Sequence, residues 1–303
     1  MLSRLVDSYL ELRRAMGFQM KVQQYLLHDF ALFAERRQES HVRGRTAIEW
    51  ARQAPSEGQR ANRLGMVRVF ARFARAEDAR HEVPPERVFS VQRGRFTPFI
   101  FTACQLHELL VGASKLAPLN SIRPWSYCTL FSLLAVTGLR ISEALNLLLK
   151  DVTPDGLLIR ETKFRKSRLV PLHPTTIKGL ERYLDRRGAV PDDHVFVSVQ
   201  GRGLRYSTVV AMFLRLVRAM GIHPGAGHQG PRIHDLRHSF AVRVLETSST
   251  AGCPIDVGAQ MLALSTYLGH AELASTYWYL HATPHLLNEI AEVSESYING
   301  EKS

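Results

Sequence analysis

The chain is short of cysteine, of acid relative to base, and of long apolar runs. Three cysteines, Cys104, Cys128 and Cys253, are scattered over 303 residues. An odd, widely spaced set does not build a disulfide framework and points to a reducing cytosol. No stretch approaches the about 20 apolar residues that cross a bilayer. The opening MLSRLVDSYLELRR lacks the apolar core of a signal peptide. A cytoplasmic protein with no membrane partner is therefore expected. The third shortage is of negative charge: 28 Asp and Glu stand against 39 Lys and Arg, a net charge of +11. That balance favours a polyanionic partner, nucleic acid ahead of an anionic membrane, although plain solubility also uses surface charge.

What is present suits a globular protein: 45% of residues are apolar and 22% charged. The length allows two domains of roughly 150 residues each. Residues 1–80 are expected to be short helices, with Leu5, Tyr9 and Leu12, then Leu26, Phe30 and Phe33, at helical spacing. A third amphipathic run, 62–75, begins with Asn62 and Arg63 and sets Arg68, Arg72 and Arg75 on one face. Up to Arg95 there are 18 Arg or Lys against 11 Asp or Glu. A basic stripe suits a phosphate backbone, and it equally suits a solvated helix face. Residues 81–98, with three prolines and no helical period, read as a linker. The remainder, 99–303, reads as a second domain. It is expected to hold a buried helix at 125–136 and a break at Thr137-Gly138, with a helix from Arg140. Two strands joined by a basic turn (156–162 and 168–172) follow, then helices near 174–187, 206–220, 234–246, 256–267, 271–281 and 284–298. The fold class is mainly α with a small antiparallel β-sheet.

Four segments of the second domain carry polar groups that packing alone does not explain. In TGLRISEAL (137–145), Arg140 enters a helix behind a core-like stretch. A charge there needs a partner, and Glu143, one turn on, can supply one or can buttress a phosphate site. In RETKFRKSR (160–168), five cations crowd a hairpin tip, where a flexible Lys can deliver a proton or simply be solvated. In RIHDLRHSF (232–240), His234 shares a helical face with Arg237 and His238. The His pair lacks the glutamate of a zinc helix and has an arginine beside it, so no metal is expected. The fourth is Leu268-Gly-His270 followed by Thr276-Tyr-Trp-Tyr279. Tyr277 and Tyr279 point about 200° apart on a helix, so only one of them faces any given site. Together two arginines, a lysine, two histidines and a tyrosine suit one chemistry. The arginines clamp a phosphodiester, the tyrosine attacks phosphorus, and Lys or His protonates the departing oxygen, without a metal.

These pieces resemble the tyrosine recombinase (phage integrase) family: TGLRISEALNL (137–147), KFRKSRLVPL (163–172), HDLRHSFA (234–241) and LGHAELASTYWYLH (268–281). The resemblance covers most of residues 97–285, and residues 1–80 resemble the family's N-terminal core-binding domain. The form LSTYLGH…TYWYL is similar to recombinases of transposon-like gene clusters. By position, the resemblance implies that Arg140 and Arg237 clamp the phosphate, Lys163 protonates the leaving 5′-oxygen, His234 handles a proton and His270 orients the phosphate. Glu143 and Thr276 take supporting places, and Tyr279, nine residues past His270, becomes the nucleophile, leaving Tyr277 to packing. Lys166 is the rival to Lys163. Arg63, Arg68, Arg72, Arg75, Arg165, Lys166 and Arg168 are expected DNA contacts.

The resemblance further implies a site-specific recombinase acting on duplex DNA through a 3′-phosphotyrosine, with no cofactor. It also implies a homotetramer on two DNA sites, accessory recombinases or DNA-bending proteins as partners, and a nucleoid-associated place in a bacterium. The alternatives are a type IB topoisomerase-like enzyme and a catalytically silent DNA-binding regulator.

Overall fold

The computed structural model describes residues 2–89, 98–160, 167–223, 230–249 and 257–269. The chain divides into two units, Met1–Phe96 and Thr97–Ser303. No helix among the described residues is long and apolar enough to cross a membrane.

The first unit is built from α1 (Leu2–Ala15), α2 (Lys21–Glu35), α3 (Gly44–Arg52) and α4 (Glu57–Glu77). Its core gathers Val6, Tyr9 and Leu10 of α1, Phe30 of α2, Trp50 of α3 and Phe70 of α4. The Trp50 indole meets Phe30 edge-on at 5.4 Å and donates to Asp29 Oδ2 at 2.8 Å, so its one polar atom is satisfied in the core. Leu12, expected on the apolar stripe, is 47% exposed; Val6 and Leu10 take the inward face instead.

Residues 81–89 differ from the linker expectation, because they are strapped onto this unit. Glu82 accepts from the Gly44 main chain at 2.8 Å and from Arg43, Arg68 donates to the carbonyls of Pro84 and Pro85, and Val83, Val88 and Phe89 pack on the core. Prolines cannot donate, but their carbonyls remain good acceptors for a guanidinium.

In the second unit, α5 (Ala103–Ser114) starts at a capping box in which Thr102 and Gln105 satisfy each other's main-chain N–H. The apolar α6 (Ile122–Thr137) packs against α5, α8 (Pro174–Arg187) and α10 (Asp235–Ser249), which is why its sequence is apolar nearly all round. Gly138 ends α6 at φ 60°, and a Cβ there would lie 2.4 Å from the Phe240 ring, so this position needs glycine twice over.

After the short α7 (Ile141–Leu145) comes an antiparallel sheet of β1 (Val152–Thr153), β2 (Gly156–Ile159) and β3 (Arg168–Val170), in that order. Two of its strands were expected; β1, only two residues long, has too little sequence to show a period. The register pairs Leu158 with Leu169 and Ile159 with Arg168. Successive strand residues alternate faces, so Arg168 shares the inner face with buried Val170 while Leu169 is 48% exposed. Helices α9 (Tyr206–Ala219) and α11 (Val257–Leu268) complete the unit. Gly269, at φ 66°, follows α11. The expected helices at 271–281 and 284–298 lie outside the described residues.

Candidate active site

Four helix ends and one strand build the site: the ends of α6 and α11, the starts of α7 and α10, and β3. Arg140 is the N-cap of α7, the first residue after the turn through Gly138 and Leu139. Its main-chain N–H donates to Glu143 Oε2 at 2.9 Å, and its Nη1 donates to Glu143 Oε1 at 2.8 Å. Its Nη2 donates to the Gly269 carbonyl at 3.0 Å. Arg237, on the first turns of α10, donates through Nη1 to the Gly138 carbonyl and through Nη2 to the Leu268 carbonyl, both at 2.7 Å. The two guanidinium groups, 97 positions apart in sequence, thus anchor on the consecutive carbonyls 268 and 269. The next residue in the chain is His270.

These acceptors matter electrostatically. Gly138, Leu268 and Gly269 close α6 and α11, where main-chain carbonyls carry the negative end of the helix dipole. They hold the guanidinium forks without cancelling a unit charge as a carboxylate would. Arg237 is only 2% exposed, and burying a cation is tolerable when its hydrogen bonds are made. α10 repeats the device farther along: Arg243 donates to the Ala135 carbonyl at 2.9 Å, a structural cation the sequence reading did not single out.

Glu143 is the buried acid of the site, with a side chain 8% exposed. Burial alone would raise its pKa. The hydrogen bonds from Arg168 and from the main chain and side chain of Arg140 overturn that and hold it at about 2. Arg168 reaches Glu143 from β3 with both forks, Nη1 to Oε1 at 3.0 Å and Nη2 to Oε2 at 2.8 Å. The expectation that Arg168 contacts DNA therefore meets a different placement: its fork is spent on Glu143, and its side chain is only 15% exposed.

His234 precedes α10 and meets His238 edge-on at 4.8 Å. Packing around the ring, then the positive charges of Arg237, Arg232 and Arg140, bring its pKa down to about 4. The residue nonetheless remains exposed, so the direction is what the chemistry uses: a neutral ring at physiological pH. An anion settling among these cations would push that pKa back up. Beneath it, buried Ser239 accepts from the Phe101 main chain and donates to the Asp235 carbonyl, both at 2.8 Å, which fixes the start of α10.

Arg140, Glu143, His234 and Arg237 are thus gathered in one place. Lys163, Arg165, Lys166, His270, Thr276 and Tyr279 lie outside the described residues, as does Tyr277. In the first unit, Arg63 stacks over Trp50 at 5.1 Å, Arg68 holds the two proline carbonyls, and Arg72 pairs with Glu86 at 3.2 Å. Arg75 is exposed on the last turn of α4. Three of the four expected stripe contacts are engaged with their own unit.

Also in the first unit, His41, Asp78 and His81 bring ligand atoms within 4.8 Å of one another, as a metal site would need. Their lone pairs are already in use. The Val42 N–H donates to His81 Nδ1 at 3.0 Å, which leaves the ring proton on Nε2. The Asp78 carboxylate takes Arg80 and His41. The cluster ties α4 to the strap.

Residues 101–285 match the Phage integrase family. The putative integrase/recombinase y4rB of Sinorhizobium fredii is 39% identical over 297 residues, covering 94% of each chain. The tyrosine recombinase XerD of Caulobacter vibrioides is 30% identical over 239 residues, covering 77% of this chain and 73% of its own. Among solved structures, the XerH site-specific recombinase bound to palindromic difH substrate has a TM-score of 0.66 at 20% identity, covering 97% of this chain and 85% of that one. The Tn1549 transposon integrase in complex with transposon right end DNA has a TM-score of 0.63 at 18% identity, covering 92% and 94%. At those identities the structural likeness speaks for the fold alone. The match in sequence across most of the chain goes further: the protein belongs to the phage integrase family and is a tyrosine-type site-specific recombinase.

Proposed function

We propose that the chain cuts and rejoins duplex DNA through a covalent 3′-phosphotyrosyl link on Tyr279. The Tyr279 hydroxyl attacks a scissile phosphorus held by Arg140 and Arg237, which stabilise the added charge of the pentavalent transition state. The bond to the 5′-oxygen breaks, and Lys163, or Lys166 at the same hairpin tip, protonates that oxygen. His234, neutral before DNA arrives, takes up the proton of the nucleophile, and His270 orients the phosphate. A 5′-hydroxyl from another strand then attacks the phosphotyrosyl ester and releases Tyr279. Because the ester conserves the energy of the broken bond, the chemistry requires neither ATP nor a metal. The working species is a homotetramer on two duplex sites in the bacterial nucleoid, assisted by accessory recombinases or DNA-bending proteins. Residues 1–80 and 99–303 act as DNA-clamping and catalytic domains.

One observation carries this reading. Arg140 and Arg237 anchor on adjacent carbonyls directly before His270, where two phosphate-binding forks converge beside a neutral histidine. The test is covalent trapping on a supercoiled plasmid library. Adducts at one short sequence, lost in Tyr279→Phe and kept in Tyr277→Phe, are the expected result. Adducts everywhere would make the chain topoisomerase-like, and none would make it a DNA-binding regulator.

A further inference from the structure

We propose that Arg168 is a positioning residue: by occupying and neutralising Glu143 it leaves Arg140 cationic and open to the scissile phosphate. The inference rests on the recombinase reading above and adds to it a residue that touches no DNA.

A carboxylate offers about four lone-pair directions. Around Glu143 all are used: Oε1 accepts from Arg140 Nη1 and Arg168 Nη1, and Oε2 accepts from the Arg140 main chain and Arg168 Nη2. Arg168 takes one direction on each oxygen, so the Arg140 side chain is limited to a single bond there. With a second N–H on the Gly269 carbonyl, the remaining donors of its guanidinium have no partner among the described residues and are open to a ligand.

Charge gives the same answer. Arg140 with Glu143 alone is a neutral pair. With Arg168 the trio carries one net positive charge, and the side-chain exposures of 29% for Arg140, 15% for Arg168 and 8% for Glu143 put that charge on the outermost member. The fold fixes Arg168 tightly. It pairs with Ile159 in the sheet, and its guanidinium lies against Gly269, where an added Cβ would sit 3.0 Å from Nη1. Its Nε–H is buried with no hydrogen-bond partner among the described residues, so the site accepts that cost to keep the fork on Glu143.

The competing explanation is a plain staple between β3 and α7. Two variants separate the two. In the full chain, Arg168→Met exposes the carboxylate to Arg140 alone. The covalent step on duplex recovered from the plasmid library, at saturating DNA, should slow about 100-fold, as when a preorganised donor is lost. DNA affinity should stay unchanged. Adding Glu143→Gln removes the surplus negative charge and should restore the step to within about tenfold of wild type. A staple is broken equally in both variants, so a double variant as slow as the single one overturns the proposal, and so does a loss of DNA affinity in Arg168→Met. Titration of inorganic phosphate, followed by the arginine side-chain NMR signals, gives a readout independent of tyrosine chemistry. Phosphate binding should weaken in Arg168→Met and return in the double variant. If the wild type forms no Tyr279-dependent adduct, the recombinase reading falls, while the phosphate titration still decides the role of Arg168.

Discussion

The two units use arginine in opposite ways. In the first, Arg68 and Arg72 lie along α4 and reach across to the carbonyls and acid of a strap on the same unit, at partly or fully exposed positions. In the second, Arg140, Arg168 and Arg237 are sunk to different depths, and their forks end on a buried carboxylate or on helix-terminal carbonyls. Both groups look alike in the sequence, as cations at helical or strand spacing near apolar residues. The difference lies in the acceptor and in how much water remains. Exposed pairs are worth about 0–1 kcal/mol. A buried fork cannot be removed without stranding its acceptors.

The sharpest way to break this contrast is Arg237→Ala. It strands the Gly138 and Leu268 carbonyls, at about 1–3 kcal/mol for each buried group left unpaired. Covalent adduct formation should be lost beyond detection, and urea denaturation should show the lower stability. Glu143→Ala comes next, because it leaves Arg140 and Arg168 facing each other without their acid; removal of one partner from a buried pair costs about 3–5 kcal/mol.

Acid acts on the second unit's site through two groups. Glu143 has its pKa lowered from 4.5 to about 2, so its contribution to stability is whole above pH 4.5 and is lost as pH falls toward 2. His234 has its pKa lowered from 6.5 to about 4, so the fold prefers the neutral ring and loses stability as pH falls from 6.5 toward 4. Denaturation midpoints measured across that range should show both slopes. Glu143→Gln should make the lower slope shallower, where Asp78 and Asp192 also have lowered pKa values, and His234→Gln should do the same to the upper one, which His81 shares.

Gly269→Ala is a milder perturbation. The left-handed backbone costs an L-residue about 1–2 kcal/mol, and the new methyl presses on Arg168, so the covalent step should slow while DNA affinity holds. The smallest effect belongs to Arg72→Ala combined with Arg75→Ala. Stability should move by no more than about 0.5 kcal/mol. If the stripe touches DNA, affinity should fall for all sequences alike, with a shallower dependence on salt.

Much of the site could be read in the chain because its logic is local. Arg140 and Glu143 sit at i, i+3, His234 and Arg237 likewise, and Gly138 marks the end of an apolar helix. The role of Arg168 was hidden because its partner lies 25 positions upstream, and among five cations at a turn nothing distinguishes it. The one available signal was strand alternation, which sets Arg168 on the face of Val170. In the fold, α3 escaped notice because nine residues beginning at a glycine give little period to read. The strap at 81–89 reads as linker in the sequence because prolines exclude a helix but say nothing about what their carbonyls hold.

Three of the seats of the Arg140 and Arg237 forks belong to the main chain, at Gly138, Leu268 and Gly269. Apart from the two glycines and Glu143, substituting side chains around them leaves those oxygens where they are, so much of the neighbourhood can drift in composition. Insertion or deletion is another matter. One residue added within α6 or α11 would turn the terminal oxygen by about 100° around its axis and empty the seat. The length of these helices should therefore tolerate change far less than their wording.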